Sequence, residues 1–401
     1  MLHQRTWAEI DLAALTSNHA VVRALAGPGV STMLVLKANA YGHGAVPVAW
    51  HLGREGVACL GVGDSTEALE LRSAGITAPI LILGAIVPGE LDDVVRGGIL
   101  VTVHSGDRVR MLRKAAERST GRVGIHLKVD TGMGRLGCTP KRAPGIAREI
   151  LRARRLELQG LCTHLAGTGP EGRADMDRQL ERFRTVLRAL ERQGVQPRWR
   201  HAYASHALAA GLPPEFNLVR PGLSIYGVGL PGALSGRLVP VLSWRTQVAF
   251  LKDHPRGSRI GYGGTFVTRR PSRIATLPVG YNDGYRFALS SNAEVLVRGQ
   301  RCPVVGRVSL DYITVDVTEV QGARVTDVVT LVGRDGEQAI GVEELAQRAG
   351  TIPYEILCGI GQRVRRIYRG AEGGDGSAAA GPPASPAGSR GAAGGRGEGP
   401  A

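Results

Sequence analysis

The sequence predicts an α/β fold: an N-terminal (β/α)8 TIM-like barrel followed by a C-terminal, mostly-β domain. Three observations predict it. Eight short β-branched or leucine-rich runs recur through the first part of the chain, helical periodicity fills the intervals, and the texture changes after about Pro240. Alternating strand and helix signals give a parallel sheet covered by helices, and eight of each close a barrel. An open doubly wound sheet is the alternative, but no Gly-x-Gly-x-x-Gly turn supports it.

The strand candidates are, in order, Thr32–Lys37, Cys59–Val62, Ile80–Leu83, Leu100–Val103, Ile125–Val129, Leu158–Thr163, Arg200–Ala204 and Phe216–Arg220. Between them lie segments such as Ser65–Ala74, Arg108–Arg118 and Asp175–Gln193. The last carries Leu180, Phe183, Leu187 and Leu190 at helical spacing. In the second part, Val241–Leu251, Arg273–Pro278, Ala293–Val297, Ile313–Val317 and Asp327–Val332 are strand-like, with Gly-rich turns and little helix between them. From about Gly370 the composition collapses to Gly, Ala, Pro, Ser and isolated charges, too little apolar surface to offset the entropy of ordering. The expected organisation is a barrel over 1–240, its first few residues free to pair with the second domain, a β domain over 241–370, and a disordered tail over 371–401.

A length of 401 residues suffices for two or more domains. No apolar run approaches the roughly 18 residues of a membrane span. The opening Met-Leu-His-Gln-Arg-Thr-Trp lacks the zones of a signal peptide, and five scattered cysteines form no Cys-x-x-Cys. Both features fit a reducing cytoplasm, with neither a metal site nor a disulfide framework. The net charge of +15 raises the question of a nucleic-acid partner. Only five of the fifty basic residues are lysine, the arginines are spread along the chain, and no basic–aromatic stretch occurs. That pattern argues against nucleic-acid binding.

The chemistry-bearing segments fall at the C-terminal ends of predicted barrel strands, where barrels present reactive groups. The first is Leu36-Lys37-Ala38-Asn39-Ala40-Tyr41-Gly42. Burial depresses a lysine's pKa, which is what imine formation with an aldehyde cofactor needs. A lysine snorkelling from the rim is the plain alternative. In Lys128-Val129-Asp130-Thr131-Gly132-Met133-Gly134-Arg135, an arginine fork on a glycine-rich loop suits an anionic group. There the alternative is a buried Lys128–Asp130 ion pair. Thr163-His164 ends the sixth strand, and a lone histidine is often only structural. Arg220-Pro221-Gly222-Leu223 follows the eighth strand, where barrels commonly bind phosphate on backbone N–H groups, and Ser205 after the seventh can add a hydroxyl. Tyr262 lies between glycines in Gly261-Tyr262-Gly263-Gly264, exposed and adjustable. A phenol with pKa of about 10 is a poor base unless nearby cations favour its phenolate. From the residues alone, a surface aromatic is the better reading of Tyr262.

Taken in order from Trp7 to Tyr368, these segments resemble the alanine racemase family, pyridoxal 5'-phosphate enzymes with an N-terminal barrel and a C-terminal β domain. The resemblance implies that Lys37 holds the cofactor covalently and serves as one of two bases. Tyr262 would be the other, reaching into the neighbouring subunit's site, which implies a head-to-tail homodimer. It puts Tyr41, Ser205, Gly222, Leu223 and Tyr354 at the cofactor phosphate. Arg220 would face the pyridine nitrogen, and His164 would link Arg220 to the catalytic tyrosine. Arg135, Leu310 and Tyr281 would contact substrate, with Lys128 a candidate for carbamylation that braces Arg135. Arginine does not readily give up a proton, so the ring nitrogen stays largely unprotonated and the cofactor is a weak electron sink. That favours reprotonation over transamination or decarboxylation.

Three departures mark this chain. Ser309-Leu310-Asp311 stands where the family usually has Cys-Met-Asp, Ala204 where asparagine precedes the phosphate serine, and Gly169 where an acidic residue is usual. The activity implied is interconversion of L- and D-alanine, supplying D-alanine for peptidoglycan in a bacterium. A broad-specificity or serine racemase is the nearest rival, and Tyr354 argues against it by narrowing the entrance. A non-catalytic pyridoxal-phosphate-binding barrel would lack the β domain. Barrel decarboxylases use glutamate where this chain has Arg220.

Overall fold

β-branched and leucine-rich runs pack on both faces of a sheet, and in this chain they build a closed ring. The computed structural model describes residues 4–370, except 54, 120 and 168–171, so the expected tail and Gly169 lie outside the described residues. After an N-terminal strand β1 (Thr6–Asp11) come the eight barrel strands. They are β2 (Ser31–Val35), β3 (Cys59–Val62), β4 (Ile80–Ile82), β5 (Leu100–Val103), β6 (Val123–Lys128), β7 (Leu156–Cys162), β8 (Trp199–His201) and β9 (Leu218–Val219). All pair in parallel in the order β8-β7-β6-β5-β4-β3-β2-β9. A parallel bridge between Ala204 and Arg220 joins the two ends.

The expected helices cover the outside. Ser65–Ser73 is capped by Asp64, whose side chain accepts the Glu67 N–H at 3.0 Å. Arg173–Glu191 buries Leu180, Phe183, Leu187 and Leu190 on one face. Each parallel strand therefore delivers its C-terminal residue to one rim, which is what positions the site.

β1 does not join the barrel. It pairs antiparallel with Leu242–Gln247 and parallel with Arg365–Arg369, within the seven-stranded sheet of the second half. The buried Trp244 fixes this seam by donating its indole N–H to Thr6 Oγ1 at 2.9 Å. A second sheet holds Phe250–His254, Ser272–Leu277 and Ile313–Asp316. The run expected as one strand over Val241–Leu251 is thus two strands in different sheets. It breaks where the Val248 N–H turns to Asp327 O and the Ala249 N–H to Thr276 O. The second half also carries two short helices, Val342–Arg348 and Pro353–Cys358. Pro353 sits in the first turn, where its missing N–H costs nothing, and the helix brings Tyr354 to the barrel rim. Among the described residues no helix is long and apolar enough to cross a membrane.

Candidate active site

The strand ends enclose a cavity of about 340 Å³. Val35 and Lys37 come to it from β2, Gly63 from β3, Thr102 from β5, Lys128 from β6, and Thr163 and His164 from β7. His201 and Ser205 come from β8, and Arg220 and Gly222 from β9. Arg135 reaches in from its glycine-rich loop and Tyr354 from the second half.

Strand β2 stops at Val35, so Lys37 opens a turn rather than ending a strand. Ala38, Asn39, Ala40 and Tyr41 all have φ between 51° and 54°, a left-handed turn with no glycine in it. At about 1–2 kcal/mol per residue, this holds roughly 4–8 kcal/mol of backbone strain. The surroundings impose it. Asn39 Oδ1 accepts the Ala45 N–H at 2.7 Å. Arg366 donates to the Gly42 carbonyl at 3.0 Å, and the Tyr368 hydroxyl donates to the His43 carbonyl at 3.0 Å. Gly42 must be glycine, because a Cβ there would lie 2.3 Å from the Leu357 carbonyl oxygen. The Lys37 ammonium lies 5.9 Å from the centre of the Tyr41 ring. Desolvation by the surrounding protein, then the Arg135 charge, lowers its pKa from the usual lysine value. The turn therefore presents an amine that gives up its proton more readily than an ordinary lysine.

Arg220 is 5 % exposed, and its hydrogen-bond partners are uncharged. It meets His201 Nδ1 at 2.7 Å, the Thr163 carbonyl at 2.8 Å, the Ala202 carbonyl at 3.1 Å and His164 Nδ1 at 3.2 Å. A guanidinium only donates, so His201 must accept at Nδ1 and carry its proton on Nε2. That nitrogen lies 2.8 Å from His126 Nδ1. The order of donation therefore runs from Arg220 through His201 to His126.

Burial, then the Arg220 charge, brings His126 and His164 down to about 3, while burial brings His43 down to about 4. The unfolded chain takes up these protons below about pH 6.5 and the folded chain does not. Stability is thus fully present above about pH 6.5 and is lost as pH falls from there toward about 3, by up to about 1.4 kcal/mol per pH unit per histidine. The urea midpoint is expected to fall steadily between about pH 7 and about pH 5. An unchanged midpoint would contradict neutral burial.

At the other end of the cavity the Ser205 hydroxyl accepts the Gly222 N–H at 3.0 Å and the Ser224 N–H at 3.2 Å. A Cβ on Gly222 would come 2.7 Å from the Tyr41 hydroxyl, so backbone, serine and phenol converge there. Desolvation raises the Tyr41 pKa, keeping its O–H protonated as a donor. Its ring packs against Tyr354 with centroids 5.5 Å apart. Such a cluster of neutral donors suits an anion.

The Lys128–Asp130 pair is not formed. Asp130 instead accepts the N–H groups of Gly132 at 2.9 Å and Gly134 at 3.1 Å, shaping the loop that carries Arg135. Lys128 lies among Cys162, Arg220, Arg135 and Lys37, and desolvation lowers its pKa. Tyr262, Leu310 and Tyr281 are not among the cavity-lining residues. Tyr262 is 71 % exposed and lines a separate depression with Arg307 and Tyr312. Tyr281 and Leu310 are also exposed, and backbone bonds join their segments, Tyr281 N–H to Ser309 O at 3.0 Å and Asn282 N–H to Leu310 O at 3.2 Å. Leu223 is buried and is not among the cavity-lining residues.

His201 and His126, which fix how Arg220 donates, are not among the candidates the sequence offers. The signal for His201 was its place at the end of a barrel strand. His126 is an inward residue of β6 and gives no local sign. Asn39, Arg366 and Tyr368 were missed because the left-handed turn they support leaves no glycine signature.

The chain is similar to known proteins along most of its length. Residues 10–229 match the profile described as alanine racemase, N-terminal domain, and residues 241–368 the one described as alanine racemase, C-terminal domain. The chain is 40% identical over 370 residues to the alanine racemase of Halothermothrix orenii, covering 92% of this chain and 98% of that one. It is 43% identical over 368 residues to that of Symbiobacterium thermophilum, covering 91% and 97%. Among solved structures, alanine racemase from D-cycloserine-producing Streptomyces lavendulae superposes with a TM-score of 0.87 at 36% identity, covering 92% of this chain and 98% of that one. The Bacillus anthracis alanine racemase with bound L-Ala-P gives a TM-score of 0.84 at 35% identity, covering 92% and 96%.

Proposed function

The chain belongs to the alanine racemase family, and we propose that it uses pyridoxal 5'-phosphate at Lys37 and two bases, Lys37 and Tyr262. Its reaction is the interconversion of L-alanine and D-alanine, an isomerase activity. The observation that carries the proposal is Arg220, a buried guanidinium held by imidazoles and carbonyls, sharing one cavity with an amine of lowered pKa.

The donor set fits the cofactor. Tyr41, Ser205, Gly222 and Leu223, with Tyr354 packed against Tyr41, would hold the phosphate, and Arg220 would meet the ring nitrogen. When bound, the cofactor supplies an electron sink that acidifies the α-hydrogen of an attached amino acid. Arg220 donates a hydrogen bond without surrendering a proton, so an acceptor nitrogen opposite it stays unprotonated and the sink stays weak. The α-proton is then returned to carbon. Lys37 takes or gives the proton on one face, through an amine that desolvation keeps available. Arg135 orients the substrate carboxylate, and carbamylation of Lys128 would give Arg135 an anionic brace.

Tyr262 is exposed and lies outside its own chain's cavity, which supports its service to the cavity of a second copy. A head-to-tail homodimer places it there, together with Tyr281 and Leu310 at the substrate. The product, D-alanine, would feed peptidoglycan synthesis in the cytoplasm.

Two experiments test the reading. Gly222→Ala would push a methyl against the Tyr41 hydroxyl. It is expected to weaken capture of pyridoxal 5'-phosphate by the apoenzyme at least about tenfold, read by absorbance titration. Undiminished affinity would contradict the phosphate assignment. Incubation with L-alanine, L-serine and L-lysine separately, followed by chiral assay, is expected to show rapid conversion of alanine alone. Equal conversion of serine would favour the broader racemase and place the specificity elsewhere than Tyr354.

A further inference from the structure

Glu67 stands in the first turn of helix Ser65–Ser73, three residues after its cap Asp64. In an ordinary reciprocal cap the residue at this position turns its carboxylate back to the cap's own N–H. Here it does something else. Oε2 accepts the N–H of Gly63 at 2.7 Å, just past the end of β3. Oε1 accepts the N–H of Ala38 at 2.5 Å, the first residue of the left-handed turn after Lys37. One carboxylate thus ties together the ends of two neighbouring barrel strands.

The surroundings leave room for this link. A Cβ on Gly63 would lie 3.2 Å from Glu67 Oε2 and 3.6 Å from the Lys37 Cβ, so the bare backbone at 63 lets the carboxylate and the lysine stem share one space. The other supports of the turn, Asn39, Arg366 and Tyr368, act at Gly42 to Ala45, on its far side. Only Glu67, of these four, grips the residue next to Lys37.

We propose that Glu67 is a positioning residue for Lys37: it holds the entry to the left-handed turn and so sets the direction in which the lysine amine leaves the rim. The inference rests on the reading of Lys37 as the cofactor lysine. Without the carboxylate, the Ala38 N–H loses its acceptor, the turn relaxes toward ordinary backbone, and the amine loses its fixed aim.

Glu67→Gln keeps the shape but turns a donor NH2 toward one of the two N–H groups. Hydrogen exchange on the apoenzyme is expected to speed up about tenfold or more at Ala38 or Gly63, whichever N–H faces the amide NH2, and to change little for Glu70→Gln on the exposed side of the same helix. In the holoenzyme kcat should fall about tenfold while KM for alanine stays within about twofold. Removing this anion should also move the pH profile for capture of pyridoxal 5'-phosphate, followed by visible absorbance, toward lower pH. Exchange as slow as in wild type, or an unmoved pH profile, overturns the proposal. So does a Glu67→Gln chain that fails to fold, since loss of a local brace leaves the barrel intact. Exchange on the apoenzyme is read without cofactor, so it reports on the brace even if Lys37→Ala shows that another lysine binds the cofactor.

Discussion

Lys37→Ala is expected to abolish both racemisation and the visible absorbance of the holoenzyme, with activity falling by at least about ten-thousand-fold. The size follows from the two proposed roles, cofactor anchor and base, meeting in one amine. Lys37 is the lysine presented by the left-handed turn, and the cavity around it lowers its pKa by desolvation. The other cavity lysine, Lys128, is the last residue of β6 and lies beside Arg135 and Arg220. If Lys128 were the cofactor lysine, absorbance would survive in Lys37→Ala and disappear in Lys128→Ala. The fold should tolerate the change, because Lys37 keeps solvent contact and forms no ion pair among the described residues.

Tyr262→Phe is the second large effect, and it is one-sided. Visible absorbance should persist, since the residue lies outside the cavity that holds Lys37. Removal of the α-proton from L-alanine is expected to slow by about a hundred- to ten-thousand-fold, the usual contribution of one general base. Removal from D-alanine should change far less if Lys37 is the base on that face, as proposed. Solvent deuterium exchange followed separately for each enantiomer distinguishes the two. Unchanged exchange of the L-alanine α-proton would sink the assignment of Tyr262. Stability should hold, because a 71 % exposed phenol contributes little to packing.

The barrel was legible because buried parallel strands read as short apolar runs. Cys59–Val62 and Leu100–Val103 appear as strands with the bounds their residues suggested. The second half was less so. Pairing of the first few residues with the second domain was open from the sequence, but the partner and register of Thr6–Asp11 with Arg365–Arg369 were not, since they depend on contacts more than 350 residues apart. The split of Val241–Leu251 is likewise set by partners, Asp327 and Thr276, rather than by its own pattern.

In the site, residue types at strand ends pointed to Lys37, His164, Ser205 and Arg220, all of which line one cavity. What they touch was not legible. The left-handed turn at Ala38–Tyr41 uses ordinary residues in a conformation that local propensity disfavours, so only tertiary contacts reveal it. The His201–His126 link joins strands far apart in sequence. The Lys128–Asp130 pair was suggested by proximity in the chain, and the glycine N–H groups of the loop claimed Asp130 instead.

Each site is proposed to take Lys37 from one chain and Tyr262 from another. Mixing inactive Lys37→Ala and Tyr262→Phe chains under exchange conditions tests it directly. In a head-to-tail dimer each mixed pair regains one complete site, so an equal mixture should recover about a quarter of wild-type activity. If the two residues act within one chain, no mixed pair contains a complete site, and a mixture as inactive as its parents would contradict the shared site.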